Sequence, residues 1–184
     1  MSSLKLRIAS DLQIDSIVDG EGLRTVIWTQ GCSHKCKGCH NHATHDFSGG
    51  VEVTVDFIKE ELDLLKNQDG ITLSGGDPFF QAEACTEIAK YAQKLGLNVW
   101  AYTGFLYEEI IKHEKQKDLL QYIDVLVDGK FELDKLTLDI PFKGSHNQRI
   151  IDVKESLKKK EVILVKKQEI REEFEEINRE YVFV

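Results

Sequence analysis

Apolar positions in this chain follow two periods that alternate along its length. Residues 24–30 are rich in β-branched and aromatic side chains and predict a strand. Val55, Ile58, Leu62 and Leu65 then recur at helical spacing. Thr54 is placed to cap that helix, and Phe57 rather than Glu stands three residues on, so no capping box is expected. Asp69-Gly70 ends the helix, and residues 71–73 predict a short buried strand. The rhythm repeats with a helix marked by Ala84, Ile88, Ala92 and Leu95 and closed by Gly96, then a strand over 97–102. A helix holding Leu106, Ile110 and Ile111 and a strand over 122–127 follow. Residues 4–8, 149–153 and 161–165 predict further strands, and the irregular stretch 131–147 predicts a functional loop. Ile170, Phe174 and Ile177 make a narrow apolar stripe through the acidic segment 169–180, which predicts a terminal helix docked on the body, with an apolar tail at 181–184.

Strands alternating with helices over short links predict an α/β fold of parallel strands with right-handed crossovers. The 184 residues form a single expected domain over 1–184, with a core of about 19–165 and a C-terminal helix and tail over 166–184. An apolar fraction of 41%, and only two prolines, predict an ordered chain. The net charge of −8 and the lack of a basic stripe argue against a nucleic-acid partner, and Lys158-Lys159-Lys160 reads as a solvated element end. No apolar run approaches membrane-spanning length and no signal segment opens the chain, so a reduced cytoplasmic setting is expected. Four cysteines in that setting point to metal or redox chemistry, not to disulfides. Cys85 lies within a helical pattern and reads as a small core residue.

The other three cysteines stand together in Gly31-Cys32-Ser33-His34-Lys35-Cys36-Lys37-Gly38-Cys39-His40, directly after the predicted strand 24–30. Iron–sulfur clusters are held by cysteine thiolates, and three of them leave one iron of a four-iron cube open to a substrate. Structural zinc fits the same ten residues, since His34, His40, His42 and His45 are near and three cysteines with a histidine make a zinc set. The downstream chain turns the reading towards the cluster. Small or polar residues follow consecutive strands at Gly75-Gly76-Asp77, Thr103-Gly104 and Asp128-Gly129-Lys130. In α/β folds that edge of the sheet is where sites are built.

The sequence resembles the anaerobic ribonucleotide reductase activating proteins, in the glycyl-radical-activating branch of the radical S-adenosylmethionine (SAM) enzymes. The likeness spans about 19–152 and rests on the cysteine motif at 31–39, Leu-Ser-Gly-Gly-Asp-Pro at 73–78, Tyr-Thr-Gly-Phe at 102–105, Asp-Val-Leu-Val-Asp-Gly-Lys-Phe at 124–131 and Gly-Ser-His-Asn-Gln-Arg at 144–149. The resemblance implies a partial, open (βα)5–6 TIM-like barrel of radical SAM type, with about five or six strands. It implies Cys32, Cys36 and Cys39 as ligands of a [4Fe–4S] cluster and SAM contacts at Gly38, Cys39 and His40. Gly75, Gly76 and Asp77 are expected to receive the methionine amino group, and Asp128 and Lys130 resemble an Asp-x-Lys whose lysine reaches the SAM carboxylate. His40 departs from the family's usual aromatic after the third cysteine, and His34, His42 and His45 are expected to be loop residues of no special role.

The implied reaction is reductive cleavage of SAM, driven by an external electron donor such as a flavodoxin or ferredoxin. The resulting 5′-deoxyadenosyl radical takes hydrogen from a glycine of the partner reductase. Two alternatives remain at this level: a radical SAM enzyme serving another glycyl radical enzyme or a small molecule, and a non-catalytic zinc-binding interaction module.

Overall fold

The computed structural model describes residues 4–166. Strands β1 (Lys5–Ile8), β2 (Gln13–Ser16), β3 (Arg24–Thr29), β4 (Val51–Thr54), β5 (Gly70–Gly75), β6 (Asn98–Tyr102), β7 (Val125–Asp128) and β8 (Arg149–Asp152) form one mixed sheet. Its order is β4-β1-β3-β5-β6-β7-β8, with β2 also paired to β3. The centre, β3-β5-β6-β7, is parallel throughout. Every flanking pair is antiparallel.

Helices α1 (Val55–Asp63), α2 (Ala82–Lys94), α3 (Tyr107–Ile110), α4 (Glu114–Leu120) and α5 (Val153–Lys159) complete the regular elements. Alternate residues of the parallel strands, Ile27, Ile71, Leu73, Val99, Ala101 and Leu126, join Ile58 and Leu62 of α1, Ile88 of α2 and Leu119 and Leu120 of α4 in one core cluster. The pleat sends their neighbours to the other face, where Trp100, Val127 and Ile150 make a smaller cluster.

That second face also buries Arg24, which is 1% exposed. Its guanidinium donates to Thr72 Oγ1 at 2.8 Å and to the carbonyls of Glu21, Ile71 and Asn98, and lies 5.5 Å from the Trp100 ring. Burial lowers its pKa to about 10. Carbonyl acceptors thus serve where a buried cation needs partners.

The helix pattern holds where it was strongest. Thr54 Oγ1 accepts the Phe57 N–H at 3.1 Å, and Gly96, with φ of +81°, follows the end of α2. The strand–helix rhythm breaks after β7. Residues 129–148 contain one 3₁₀ turn at Leu133–Lys135 and no crossover helix, so β8 returns antiparallel to β7. The parallel part therefore has four strands, fewer than the five or six expected.

Residues 161–165 make only an isolated bridge, Ile151 with Leu164, instead of a strand. The chain between is α5, capped by Asp152, whose carboxylate accepts the Glu155 N–H. The lysine run ends this helix, with Lys160 left-handed at φ of 57°. The predicted terminal helix over 169–180 and tail over 181–184 lie outside the described residues.

One ion pair ties β7, β8 and α3 together. Asp128 is fully buried, and its carboxylate accepts Arg149 Nε at 2.9 Å, Arg149 Nη2 at 2.5 Å and the Tyr107 N–H at 2.8 Å. Removing one partner of a buried pair strands the other charge, at a cost of about 3–5 kcal/mol. Arg149→Ala is expected to lower the unfolding free energy by about 3 kcal/mol in a urea titration; a loss below about 0.5 kcal/mol, the range of ordinary surface substitutions, would show that the pair does not hold these elements.

Candidate metal centre

The cysteine loop begins at the C-terminal end of β3 and folds back on the turn at His42–Thr44. The Gly31 N–H bonds the Thr44 carbonyl at 2.8 Å and the Cys32 N–H bonds the His45 carbonyl at 3.0 Å. Beside it, the end of β5 is drawn in by two backbone bonds: Gly76 N–H to the Thr29 carbonyl at 2.7 Å and Asp77 N–H to the Gly31 carbonyl at 3.0 Å. The approach is so close that a Cβ on Gly76 would lie 2.5 Å from the Gly31 oxygen. Glycine is required there by the passing backbone of the cysteine loop.

Cys32, Cys36, Cys39, His40, Gly75 and Gly76 line one cavity of about 560 Å³, with Trp28, Ser74 and Tyr102 from the sheet face opposite the main helices. Gly129, Phe131 and Gln148 close another side. The predicted ligands and the Gly-Gly pair therefore meet in one space. Burial pushes the Cys32 thiol up to about 11 and raises that of Cys36. The backbone N–H groups of His34, near Cys32, and of Phe131, near Cys36, act the other way. Thiolate ligation must displace these protons.

Cys85 is fully buried in α2 and packs in the core, as its place in the helical pattern indicated. All four cysteines are free thiols.

Asp77, Asp128, Lys130 and Gly38, also predicted for the site, do not line the cavity. Asp77, expected to receive an ammonium group, is 1% exposed. Its Oδ1 accepts the Phe79 N–H at 2.9 Å, and its Oδ2 accepts Thr103 Oγ1 at 2.8 Å and the Gly104 N–H at 2.9 Å. Asp128 is held by Arg149 and the Tyr107 N–H, as described above, and so faces protein donors. Lys130 is exposed, with its carbonyl bonded by Asn147 Nδ2 at 2.8 Å. Gly38 is an exposed left-handed loop residue at φ of +74°, between Cys36 and Cys39. His40 is exposed and its ring lies 5.2 Å from that of Phe131.

Three functional features escaped the sequence reading. His34, expected to be an idle loop residue, points inward to Asp77 Oδ2 at 2.7 Å. Gln148 spans the cavity wall, accepting the Gly144 and Ser145 N–H groups and donating to the Gly129 carbonyl. Phe131 lines the cavity and meets the His40 ring at 5.2 Å. Gln148 and Phe131 fall within the motifs at 144–149 and 124–131, which marked the segments but gave no roles; His34 had no signal beyond lying between two cysteines.

The donor set fits a cluster. His34 is held by Asp77 through Nε2. Among the described residues, no three His, Cys, Asp or Glu side chains gather where a single metal ion could sit. A four-iron cluster makes no such demand, because its thiolates bind different irons.

Comparison with known proteins agrees with an iron–sulfur cluster. A family profile described as a 4Fe-4S single cluster domain matches residues 18–151. The anaerobic ribonucleoside-triphosphate reductase-activating protein of Enterobacteria phage T4 is 35% identical over 142 residues, covering 72% of this chain and 86% of the relative. Its namesake in Pasteurella multocida (strain Pm70) is 32% identical over 143 residues, covering 73% and 90%. That of Escherichia coli (strain K12) is 33% identical over 141 residues, covering 72% and 90%. The crystal structure of QueE from Escherichia coli superposes with a TM-score of 0.47 at 13% identity, over 55% of this chain and 53% of that one, too loosely to add to the assignment. The three thiols on one cavity, the matching 4Fe-4S domain and the extent of these relatives together place the chain in the family of anaerobic ribonucleoside-triphosphate reductase-activating proteins.

Proposed function

We propose that this protein activates an anaerobic ribonucleotide reductase by reductive cleavage of SAM at a [4Fe–4S] cluster held by Cys32, Cys36 and Cys39. The observation that carries the reading is the meeting of those three thiols with Gly75 and Gly76 on one cavity at the C-terminal ends of parallel strands. Cys32, Cys36 and Cys39 would hold the cluster, which would supply the electron for reductive cleavage of SAM and so the 5′-deoxyadenosyl radical that would take a hydrogen atom from a reductase glycine. The protein's own part is to bind, orient and exclude water.

Gly75 and Gly76 present backbone at the cavity wall to the methionine end of SAM, Cys39 and His40 border the cavity from the cysteine loop, and Gly38 makes the turn between Cys36 and Cys39. Lys130, free to swing in solvent, serves the SAM carboxylate. Asp77 and Asp128 act from behind the wall, by holding the loops that form it. Four parallel strands with a cavity on the face away from the main helices support the reading of an open, partial barrel. An open site suits a protein substrate, because a glycine-bearing segment has to enter. The electron comes from an external donor of flavodoxin or ferredoxin type, in the cytoplasm. No helix among the described residues is long and apolar enough to cross a membrane, and the net charge of −8 argues against a nucleic-acid substrate.

Anaerobically reconstituted protein, mixed with dithionite, SAM and the anaerobic reductase, is expected to yield 5′-deoxyadenosine and a glycine-centred radical in the electron paramagnetic resonance (EPR) spectrum. Cys32→Ala should abolish both products, and Cys85→Ala should leave them largely intact. A radical that forms on another glycyl radical enzyme and not on the reductase would reassign the partner while leaving the chemistry.

The close backbone approach generates a second expectation. Gly76→Ala forces a methyl against the Gly31 backbone, an overpacking that typically costs about 1–3 kcal/mol. Because the atoms it meets belong to the cysteine loop, the variant should lose reconstituted iron as well as melting temperature. Full iron content at parental stability would show that the loop is free to move away.

A further inference from the structure

We propose that His34 is a positioning residue, which sets the cysteine loop in register with the Gly75–Gly76 segment by donating from Nε2 to Asp77. This rests on the reading that SAM binds between those two segments.

The neighbours of His34 in the loop, Ser33 and Lys35, are exposed, whereas its own side chain is 8% exposed. Nε2 lies 2.7 Å from Asp77 Oδ2. That oxygen also accepts from Thr103 Oγ1 and the Gly104 N–H, so it serves as the acceptor and Nε2 is the nitrogen that carries the hydrogen. Packing fixes the ring as well, with Phe105 edge-on at 4.5 Å and Phe80 at 5.4 Å. Its Cδ2 would lie 2.5 Å from a Cβ on Gly104, so the ring fills the space that glycine leaves at the end of β6.

The two ends of this residue touch different parts of the site. Its backbone belongs to the cysteine loop two residues after Cys32, and its side chain bonds the carboxylate that directly follows Gly75-Gly76. His34 therefore ties the loop that carries the proposed cluster ligands to the wall proposed for the methionine end of SAM. Asp77 extends the tie to β6 through Thr103 and Gly104. Without the donor, aromatic packing alone would keep the ring in the slot but would not fix the spacing between loop and wall. His34 borders the same cavity, and in this role it moves no proton and acts through the geometry of Cys32 and Gly75–Gly76.

The test compares His34→Gln, which can place an amide donor near the position of Nε2, with His34→Phe, which keeps the aromatic packing and loses the donor. Each reconstituted variant is assayed for iron content, then reduced and titrated with SAM while the EPR spectrum of the cluster is recorded. H34F is expected to need about ten-fold more SAM for the half-maximal spectral change at equal iron content, with H34Q within about three-fold of the parent. Loss of iron in H34F with retention in H34Q supports the proposal equally. The same result for both variants, whether both match the parent or both fail, overturns it. A parent protein whose spectrum ignores SAM overturns instead the reading of the site on which the proposal rests.

Discussion

A carboxylate that is almost completely sequestered has to find its hydrogen bonds inside the protein, and Asp77 finds them on every side. It takes the Phe79 N–H on one oxygen and Thr103, Gly104 and His34 on the other. These donors lie on the turn after β5, the end of β6 and the cysteine loop after β3, so one buried group fixes three neighbouring strand ends. The cavity inherits its shape from that node. Asp128 does a similar task further along the sheet edge, joining β7, β8 and the start of α3 through Arg149 and the Tyr107 N–H. Acidic residues at the ends of parallel strands thus build the walls, and the cavity itself is lined by thiols, glycine backbone and aromatic rings.

The sheet divides the labour between its faces. One is filled by aliphatic side chains from α1, α2 and α4 and supplies the main core. The other carries a buried arginine, two tryptophans and a tyrosine at the ends and along the strands, and opens into the cavity. This arrangement lets the parallel strands stay buried on both faces while only one face is paved with hydrocarbon. Burial of the Cys32 and Cys36 thiols follows from the same geometry, with backbone N–H groups of two different loops near their sulfurs. Hydrogen bonds to ligand sulfurs are among the levers that set the potential of such clusters.

Much of this was legible in the sequence, and the pattern of what was not has a physical basis. Strands β3, β5, β6 and β7 and helices α1 and α2 announced themselves because their apolar periods reflect burial in one large core. Strand β4 escaped because it lies at the sheet edge with an exposed pattern, and β2 because three of its four residues are exposed. Helices α4 and α5 each bury only two residues, too few to show a period. In the candidate site, the cysteines and the Gly-Gly pair could be read because chemistry or close approach demands those residue types. The parts played by His34, Asp77 and Asp128 could not, since their partners lie 43 and 21 residues away and only the fold brings them together. Residue type alone assigned the two aspartates to a ligand; in the fold both carboxylates are buried and bonded by protein donors.

The central claim is that Cys32, Cys36 and Cys39 hold a four-iron cluster with one iron left for SAM. Mössbauer spectroscopy of protein reconstituted with 57Fe tests it most directly, because it reports each iron population separately. The account predicts that adding SAM shifts about a quarter of the iron signal, that of the iron without a thiolate, and leaves the remainder in place. A spectrum unchanged by SAM, or a protein that takes up stoichiometric zinc and no iron–sulfur cluster, would contradict it.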